Sequence, residues 1–102
     1  MTLIAQSTSL PDYAVPSGDF IQEWMDDNGI TAAELARRLD VSRKHVSELL
    51  RGKVALSHGM ALRLESVTGV PARNWNNIEA QFQEDRGRQF EDEIRRRIGV
   101  LK

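Results

Sequence analysis

The sequence predicts an all-α fold, and three observations on its 102 residues carry that prediction. Apolar residues recur at intervals of three and four along successive stretches, as expected for helices that bury one face. Capping residues or proline precede these stretches, and glycine follows several of them, which marks helix starts and stops. No stretch shows the strict alternation of apolar and polar residues that is typical of a half-buried strand.

The composition limits the classes of protein that this chain can be. It has no cysteine, which excludes disulfides and thiolate metal sites, and no apolar run of about 18 residues that could cross a membrane. It has two histidines, no HExxH motif and no glycine-rich phosphate loop, so we predict no enzyme, no metal and no cofactor. The first residues lack the basic region and long apolar core of a signal peptide, and we expect a cytoplasmic protein.

The net charge of −1 is unevenly distributed. Residues 1–30 carry five acidic side chains and no basic one, whereas residues 31–75 carry eight basic and four acidic ones. A weakly acidic chain argues against indiscriminate binding to polyanions, but its basic middle permits a local nucleic-acid site. The acidic segment at residues 1–30 would be repelled by phosphates and is expected to face solvent or a basic protein.

The first helix is predicted to begin after a flexible tail at residues 1–15, although the apolar residues of the tail leave docking as an alternative. Either Ser17 or Asp19 can accept the free backbone N–H bonds at the helix start. Gly29 fits the position that ends the helix. The apolar stripe of this helix comprises Phe20, Ile21, Trp24 and Met25.

Residues 31–53 are predicted to form two short helices joined by a tight turn. Thr31 and Glu34 make a capping box, in which the hydroxyl caps the first turn and the carboxylate returns to the N–H of the cap residue. Ser42 can cap the second helix, and Gly52 can end it. The buried positions of a helix-turn-helix are filled by Leu35, Ala36, Leu39, Val41, Val46 and Leu49. An ordinary αα-hairpin needs similar spacing and remains the alternative.

Three more helical stretches follow. Ser57 caps the first, Gly69 ends it, and Pro71 starts the second with its fixed φ. The run Arg86-Gly87-Arg88 is expected to interrupt the chain before the third, which is amphipathic. The predicted domains are therefore a flexible tail at 1–15, a helix-turn-helix domain at 16–86 with its motif at 31–53, and a C-terminal amphipathic helix at 87–102.

The chain resembles the lambda-repressor-like (XRE) helix-turn-helix family and, more narrowly, the HigA antitoxins of toxin–antitoxin modules. The resemblance covers roughly residues 16–85. The segments that match the family are PSGDFI at 16–21, AELARRL at 33–39, VSR at 41–43, VSELL at 46–50, GK at 52–53, MALRL at 60–64 and Gly69. The run at 60–64, together with Trp75 and Gln81 downstream, separates this group from other XRE proteins.

The resemblance implies a five-helix DNA-binding domain that acts as a homodimer. Such antitoxins bind and neutralise a small basic ribonuclease toxin, and they repress their own operon by binding a palindromic, double-stranded operator. The sequence departs from the family at Ala32, where glutamine is usual, and at Asp40, where the turn glycine is usual. Two alternatives remain: a stand-alone XRE regulator without a toxin, and a protein-interaction module that no longer binds DNA.

The second helix of the motif is the predicted DNA-reading helix, because its first turns expose side chains that can donate to base edges. The predicted base contacts are Ser42, Arg43, Lys44 and Ser47. The predicted phosphate contacts are Thr31, Arg37, Arg51 and Lys53. A basic toxin is expected to contact Tyr13, Glu23, Asp26 and Asp27. Dimer contacts are expected at Trp75, Phe82, Phe90, Ile94 and Ile98, with the alternative that the C-terminal stripe folds back onto its own domain.

Overall fold

Five α-helices make up the fold in a computed structural model that describes residues 14–99. They are α1 (Ser17–Asn28), α2 (Ala32–Leu39), α3 (Arg43–Leu50), α4 (His58–Thr68) and α5 (Ala72–Gly99). No strand occurs within residues 14–99, and the predicted all-α fold class is confirmed. No helix in this part of the chain is long and apolar enough to span a membrane. Most of the predicted tail at residues 1–15 lies outside the described residues.

Three helices begin at the side chains that the sequence predicted. The hydroxyls of Thr31, Ser42 and Ser57 accept the backbone N–H three residues further on, at 3.1, 3.0 and 3.1 Å. Each hydroxyl pairs a donor that the start of a helix leaves without a partner inside the helix. The starts of helices α2, α3 and α4 are therefore specified by local sequence.

The start of α1 differs from the prediction. Pro16 is the N-cap residue, with extended backbone and no side-chain cap, while Ser17 and Asp19 lie inside the helix. Neither predicted cap is used. The Ser17 hydroxyl is buried and donates instead to Glu79 Oε1 of α5 at 2.6 Å. This bond ties the first turn of α1 to the last helix.

The hydrophobic core lies between α1, the two motif helices and α4, and the first turns of α5 close it. Full burial of a large apolar side chain stabilises the fold by about 1.5–3 kcal/mol relative to exposure. The predicted stripe on α1 is only partly inside, because Trp24 is half-buried and Phe20 is 40% exposed. The largest fully buried side chains are Ile21, Leu35, Leu39, Val46, Leu49 and Leu64.

Helix α5 is continuous through the predicted interruption at residues 86–88. The C-terminal segment is helical as expected, but it forms the end of α5 rather than a separate helix. A glycine in a helix interior costs only about 1 kcal/mol relative to alanine, which is too little to end a helix. An ion pair between Glu84 and Arg88 also spans the turn that contains Gly87. Phe82 is the last buried residue of the described chain, so α5 extends roughly 25 Å beyond the core.

Arg63 connects α4 to the turn of the helix-turn-helix. Its Nη1 donates to the main-chain oxygens of Leu39 at 2.9 Å and of Asp40 at 3.2 Å. These carbonyls lie at the C-terminal end of α2, where the helix leaves acceptors unpaired and its dipole favours a cation. The guanidinium of Arg63 on α4 therefore supplies a hydrogen-bond donor to the free carbonyls at the end of α2.

Arg63→Met should lower the free energy of unfolding by about 1–2 kcal/mol, because the two carbonyls lose a charged donor while most of the apolar stem remains. Equilibrium unfolding in urea, followed by circular dichroism, measures the change. The control is Arg73→Met on the exposed surface of α5, which should alter stability by less than about 0.5 kcal/mol. Equal unfolding free energies for the two variants would show that the Arg63 bonds contribute nothing.

Candidate nucleic-acid interface

The turn between α2 and α3 is built around Asp40. This residue has a φ of 60°, and within residues 14–99 it is the single non-glycine residue with a positive φ. Its N–H donates to the Arg37 oxygen at 3.2 Å, and the Val41 N–H donates to the Ala36 oxygen at 3.1 Å. Aspartate is among the few L-residues that adopt this conformation readily. Asp40 can therefore fill the position at which the XRE family usually has glycine.

Helix α3 is held in place by a backbone contact as well as by its buried side chains. Val46 and Leu49 enter the core, and Gly18 of α1 lies directly against the last turn of α3. A Cβ at Gly18 would lie 2.3 Å from the Leu50 oxygen and 2.5 Å from the Leu49 oxygen. No side chain fits in this space. Because glycine has none, α1 and α3 can approach this closely at Gly18.

The predicted base-contacting residues lie on the surface of α3 and at its N-cap residue, Ser42. Ser42, Arg43 and Lys44 are exposed, and Ser47 is half-buried one turn later. The first turn of α3 carries no acidic residue. Two long cations and two hydroxyls are thus presented on a helix whose opposite face is fixed in the core. This arrangement can donate hydrogen bonds to guanine O6 and N7 in a major groove.

The four predicted phosphate-contacting residues are all exposed at the ends of the two motif helices. Thr31 precedes α2, and Arg37 lies in its last turn. Arg51 and Lys53 follow α3, where the Arg51 Nε makes a long bond of 3.4 Å to the Ser47 oxygen. Their positions before and after α3, the predicted DNA-reading helix, suit contacts with the DNA backbone on either side of a groove.

Glu34 binds two arginines of α2, a feature that the sequence did not predict. Its carboxylate accepts bonds from Arg37 Nε at 3.2 Å and from Arg38 Nε at 2.7 Å, and it also contacts Arg37 Nη2. Arg37 and then Arg38 lower the pKa of Glu34, and Glu34 in turn raises the pKa of Arg37. The carboxylate is therefore ionised at neutral pH and offsets part of the positive charge beside α3. Only the hydroxyl half of the predicted capping box at Thr31 is present among the described residues, because the Glu34 carboxylate accepts bonds from Arg37 and Arg38 instead of from the Thr31 N–H.

The predicted toxin-contacting residues that the structure describes lie on α1, outside the helix-turn-helix. Glu23, Asp26 and Asp27 are exposed on α1, where Gln22 donates to the Asp26 carboxylate at 2.9 Å. Tyr13 lies outside the described residues. Within residues 14–99, no group of three or more His, Cys, Asp or Glu side chains could hold a metal ion.

The predicted dimer residues fall into two sets. Trp75 is 3% exposed and belongs to the core, and Phe82 is also buried, so neither side chain presents much surface to a partner. Phe90 and Ile98 are 64% and 54% exposed, and Ile94 between them is half-buried. The apolar stripe on the far end of α5 is therefore the part of this set that a second chain can reach.

Comparisons with known proteins agree with this geometry. The helix-turn-helix family model HTH_3 matches residues 21–75. A curated relative, the uncharacterized HTH-type transcriptional regulator YddM of Escherichia coli strain K12, is 37% identical over 62 residues. That match covers 61% of this chain and 66% of YddM, so the chain spans just under two thirds of that relative's length.

Two solved structures share the fold at higher coverage. The antitoxin GraA has a TM-score of 0.72 and 30% identity, covering 88% of this chain and 96% of GraA. The Pseudomonas aeruginosa antitoxin HigA, solved with the higBA promoter, has a TM-score of 0.67 and 28% identity. The match to HigA covers 78% of this chain and 94% of that chain.

Proposed function

This chain belongs to the helix-turn-helix family HTH_3, and from that premise we propose that it is the antitoxin of a type II toxin–antitoxin module. In this proposal the chain neutralises a small ribonuclease toxin and represses its own operon as a homodimer bound to operator DNA. DNA binding is proposed because the first turn of α3 is exposed and contains no acidic residue. The opposite face of this helix is buried in the core, which fixes the orientation of the exposed face. The similarity to an antitoxin solved with its promoter supports it.

In the proposed complex α3 enters the major groove. Arg43 and Lys44 donate to guanine edges, and Ser42 and Ser47 donate to or accept from neighbouring bases. The contacts that supply affinity without sequence information are made to phosphates by Thr31, Arg37, Arg51 and Lys53. In a dimer the two α3 helices should lie about 34–36 Å apart, the spacing of successive major grooves.

The proposed dimer is formed by the exposed stripe of α5. Phe90, Ile94 and Ile98 recur at four-residue intervals, so they form one ridge on the helix surface. Ion pairs between neighbouring side chains, Asp92 with Arg95 and Glu93 with Arg97, partly neutralise the surrounding charge. A ridge of this kind can pack against its own copy across a two-fold axis. The buried Trp75 and Phe82 anchor α5 to the domain that it would join to a partner.

Ile94→Glu should convert the dimer into a monomer, because the buried, unpaired carboxylate would raise the dissociation constant about 100-fold or more. Multi-angle light scattering at micromolar concentration gives the mass. Arg96→Glu, which changes a neighbouring exposed residue outside the ridge, is the control and should leave the mass unchanged. A dimeric Ile94→Glu protein would contradict the assignment of this stripe.

Toxin neutralisation is proposed from the similarity to antitoxins and from the acidic surface of α1. A small basic ribonuclease would meet Glu23, Asp26 and Asp27, with Tyr13 nearby in sequence. The test is growth of cells that express the small protein encoded beside this chain's gene, with and without this chain. Rescue of growth arrest is the expected result. Operator binding without rescue would favour a stand-alone regulator. The absence of both operator binding and rescue would favour a protein-interaction module.

A further inference from the structure

A second apolar surface lies between α1 and α5. It is a groove of about 330 Å³ whose apolar lining comes from Val15, Phe20, Ile78 and Phe82. None of the lining residues lies in the helix-turn-helix at 31–53. The groove is thus a feature that DNA reading by α3 does not use.

Phe20 is the most exposed apolar residue of this groove. Its side chain is 40% exposed, while Val15 and Ile78 beside it are half-buried. Single exposed apolar residues are common, but a phenylalanine in a concave, largely apolar depression has the character of a binding site. A ligand that inserts an apolar side chain here would remove both Phe20 and Ile78 from water.

Acidic side chains lie around the groove. Asp19 and Glu23 are exposed within one turn of Phe20, and Asp85 lines the groove from α5. Gln81 Nε2 donates to Asp85 Oδ1 at 3.0 Å. Among the described residues none of these three carboxylates belongs to an ion pair. Helix α1 itself supplies no competing cation, because the first 36 residues contain no lysine or arginine.

Arg86 of α5 lies over Phe82, which lines the groove. The Arg86 guanidinium carbon stands 5.4 Å from the centre of the Phe82 ring, a distance at which a cation is attracted to the ring face. Arg88 also interacts with Asp85, but it is already ion-paired with Glu84, and Glu84 first and Asp85 second raise the pKa of this arginine. Three carboxylates outside ion pairs therefore leave the surroundings of the groove acidic. A partner segment with basic side chains is therefore favoured over a neutral or acidic one.

We propose, on the basis of the antitoxin function proposed for this chain, that the groove receives a basic amphipathic segment of the toxin. An apolar side chain of that segment fills the space beside Phe20, and its lysines or arginines meet Glu23 and Asp85. A second copy of this chain fits less well, because the charges beside its own exposed stripe on α5 are paired with each other. Since the groove lies outside 31–53, α3 stays accessible to DNA while toxin is bound.

The test is calorimetric titration of the full chain with the purified small protein that is encoded beside its gene. Phe20→Ala should weaken binding about 10–100-fold, as expected for an aromatic residue at the centre of an interface. Asp85→Asn, which can still accept the Gln81 bond, should weaken binding about 3–10-fold and reduce its salt dependence. Leu62→Ala on α4 is the matched control, because Leu62 is 49% exposed and lies outside the groove.

Each outcome decides a different point. If the wild-type chain does not bind the small protein, the proposed toxin partnership fails and the groove assignment fails with it. If the wild type binds but Phe20→Ala and Asp85→Asn bind equally well, the groove assignment is overturned while the antitoxin proposal stands. Unchanged affinity together with loss of dimer mass in Phe20→Ala would assign the groove to a second copy instead. Asparagine has nearly the same shape as aspartate, so the Asp85→Asn protein should fold. This variant therefore still tests the groove if the Phe20→Ala protein does not fold.

Discussion

Gly18→Ala is expected to lower the free energy of unfolding by about 3 kcal/mol or more, the upper range for an added methyl group in a packed site. The new Cβ would lie 2.3 Å from the Leu50 oxygen, and a backbone atom cannot move aside as a flexible side chain can. Relief requires α1 and α3 to separate, which would displace the helix that we propose reads DNA. Unfolding in urea measures the stability, and operator affinity at low temperature measures the displacement.

The matched control for this substitution is Gly87→Ala. No heavy atom lies within 4 Å of the position that a Cβ would take at Gly87, and the residue is exposed inside α5. Alanine should therefore stabilise the protein by about 0.5–1 kcal/mol, because it is the better helix former. A Gly18→Ala protein as stable as the wild type would contradict the close contact between α1 and α3.

Arg43→Ala should reduce operator affinity about 5–150-fold and relax the preference at one operator position, as expected for loss of a base contact worth about 1–3 kcal/mol. Arg51→Ala should instead weaken binding to all sequences alike and lower the salt slope by about one, as expected for a phosphate contact. Fluorescence anisotropy with labelled duplexes at several salt concentrations separates the two. Arg73→Ala on α5 is the neutral control. An Arg43→Ala protein with unchanged affinity would remove this residue from the base contacts.

Local features of the structure could be predicted from the sequence. The caps at Thr31, Ser42 and Ser57 and the left-handed turn residues Gly29 and Asp40 depend on neighbours within a few positions. Their chemistry is visible in the sequence, because short hydroxyl side chains pair free N–H groups and few residue types tolerate positive φ. The predicted base contacts on α3 also lie on the surface, since the spacing of Val46 and Leu49 fixes which face is buried.

Contacts between distant segments could not be predicted. Ser17 bonds to Glu79 across 62 positions, and Arg63 bonds to Leu39 across 24. No local pattern distinguishes such a serine from a cap or such an arginine from a solvent-exposed cation. Gly18 did leave a signal, because glycine in the first turn of an amphipathic helix has no capping role and suggests a close backbone approach.

The surfaces for partners were the least predictable part. Trp75 and Phe90 look alike in a periodic pattern, yet the first is buried in its own core and the second is exposed. Periodicity shows that a face is apolar without showing what covers it. The groove between Phe20 and Ile78 arises only when α1 and α5 pack together, so neither segment reveals it alone.

The most direct test of the antitoxin proposal is the mass of the assembly formed with its proposed partners. Native mass spectrometry would be applied to the full chain, the small protein encoded beside its gene, and a duplex from upstream of the operon. The proposal predicts a complex that contains two copies of this chain, one duplex and the small protein, and no complex with a scrambled duplex at the same salt. A chain that remains free of both the upstream duplex and the small protein would contradict it.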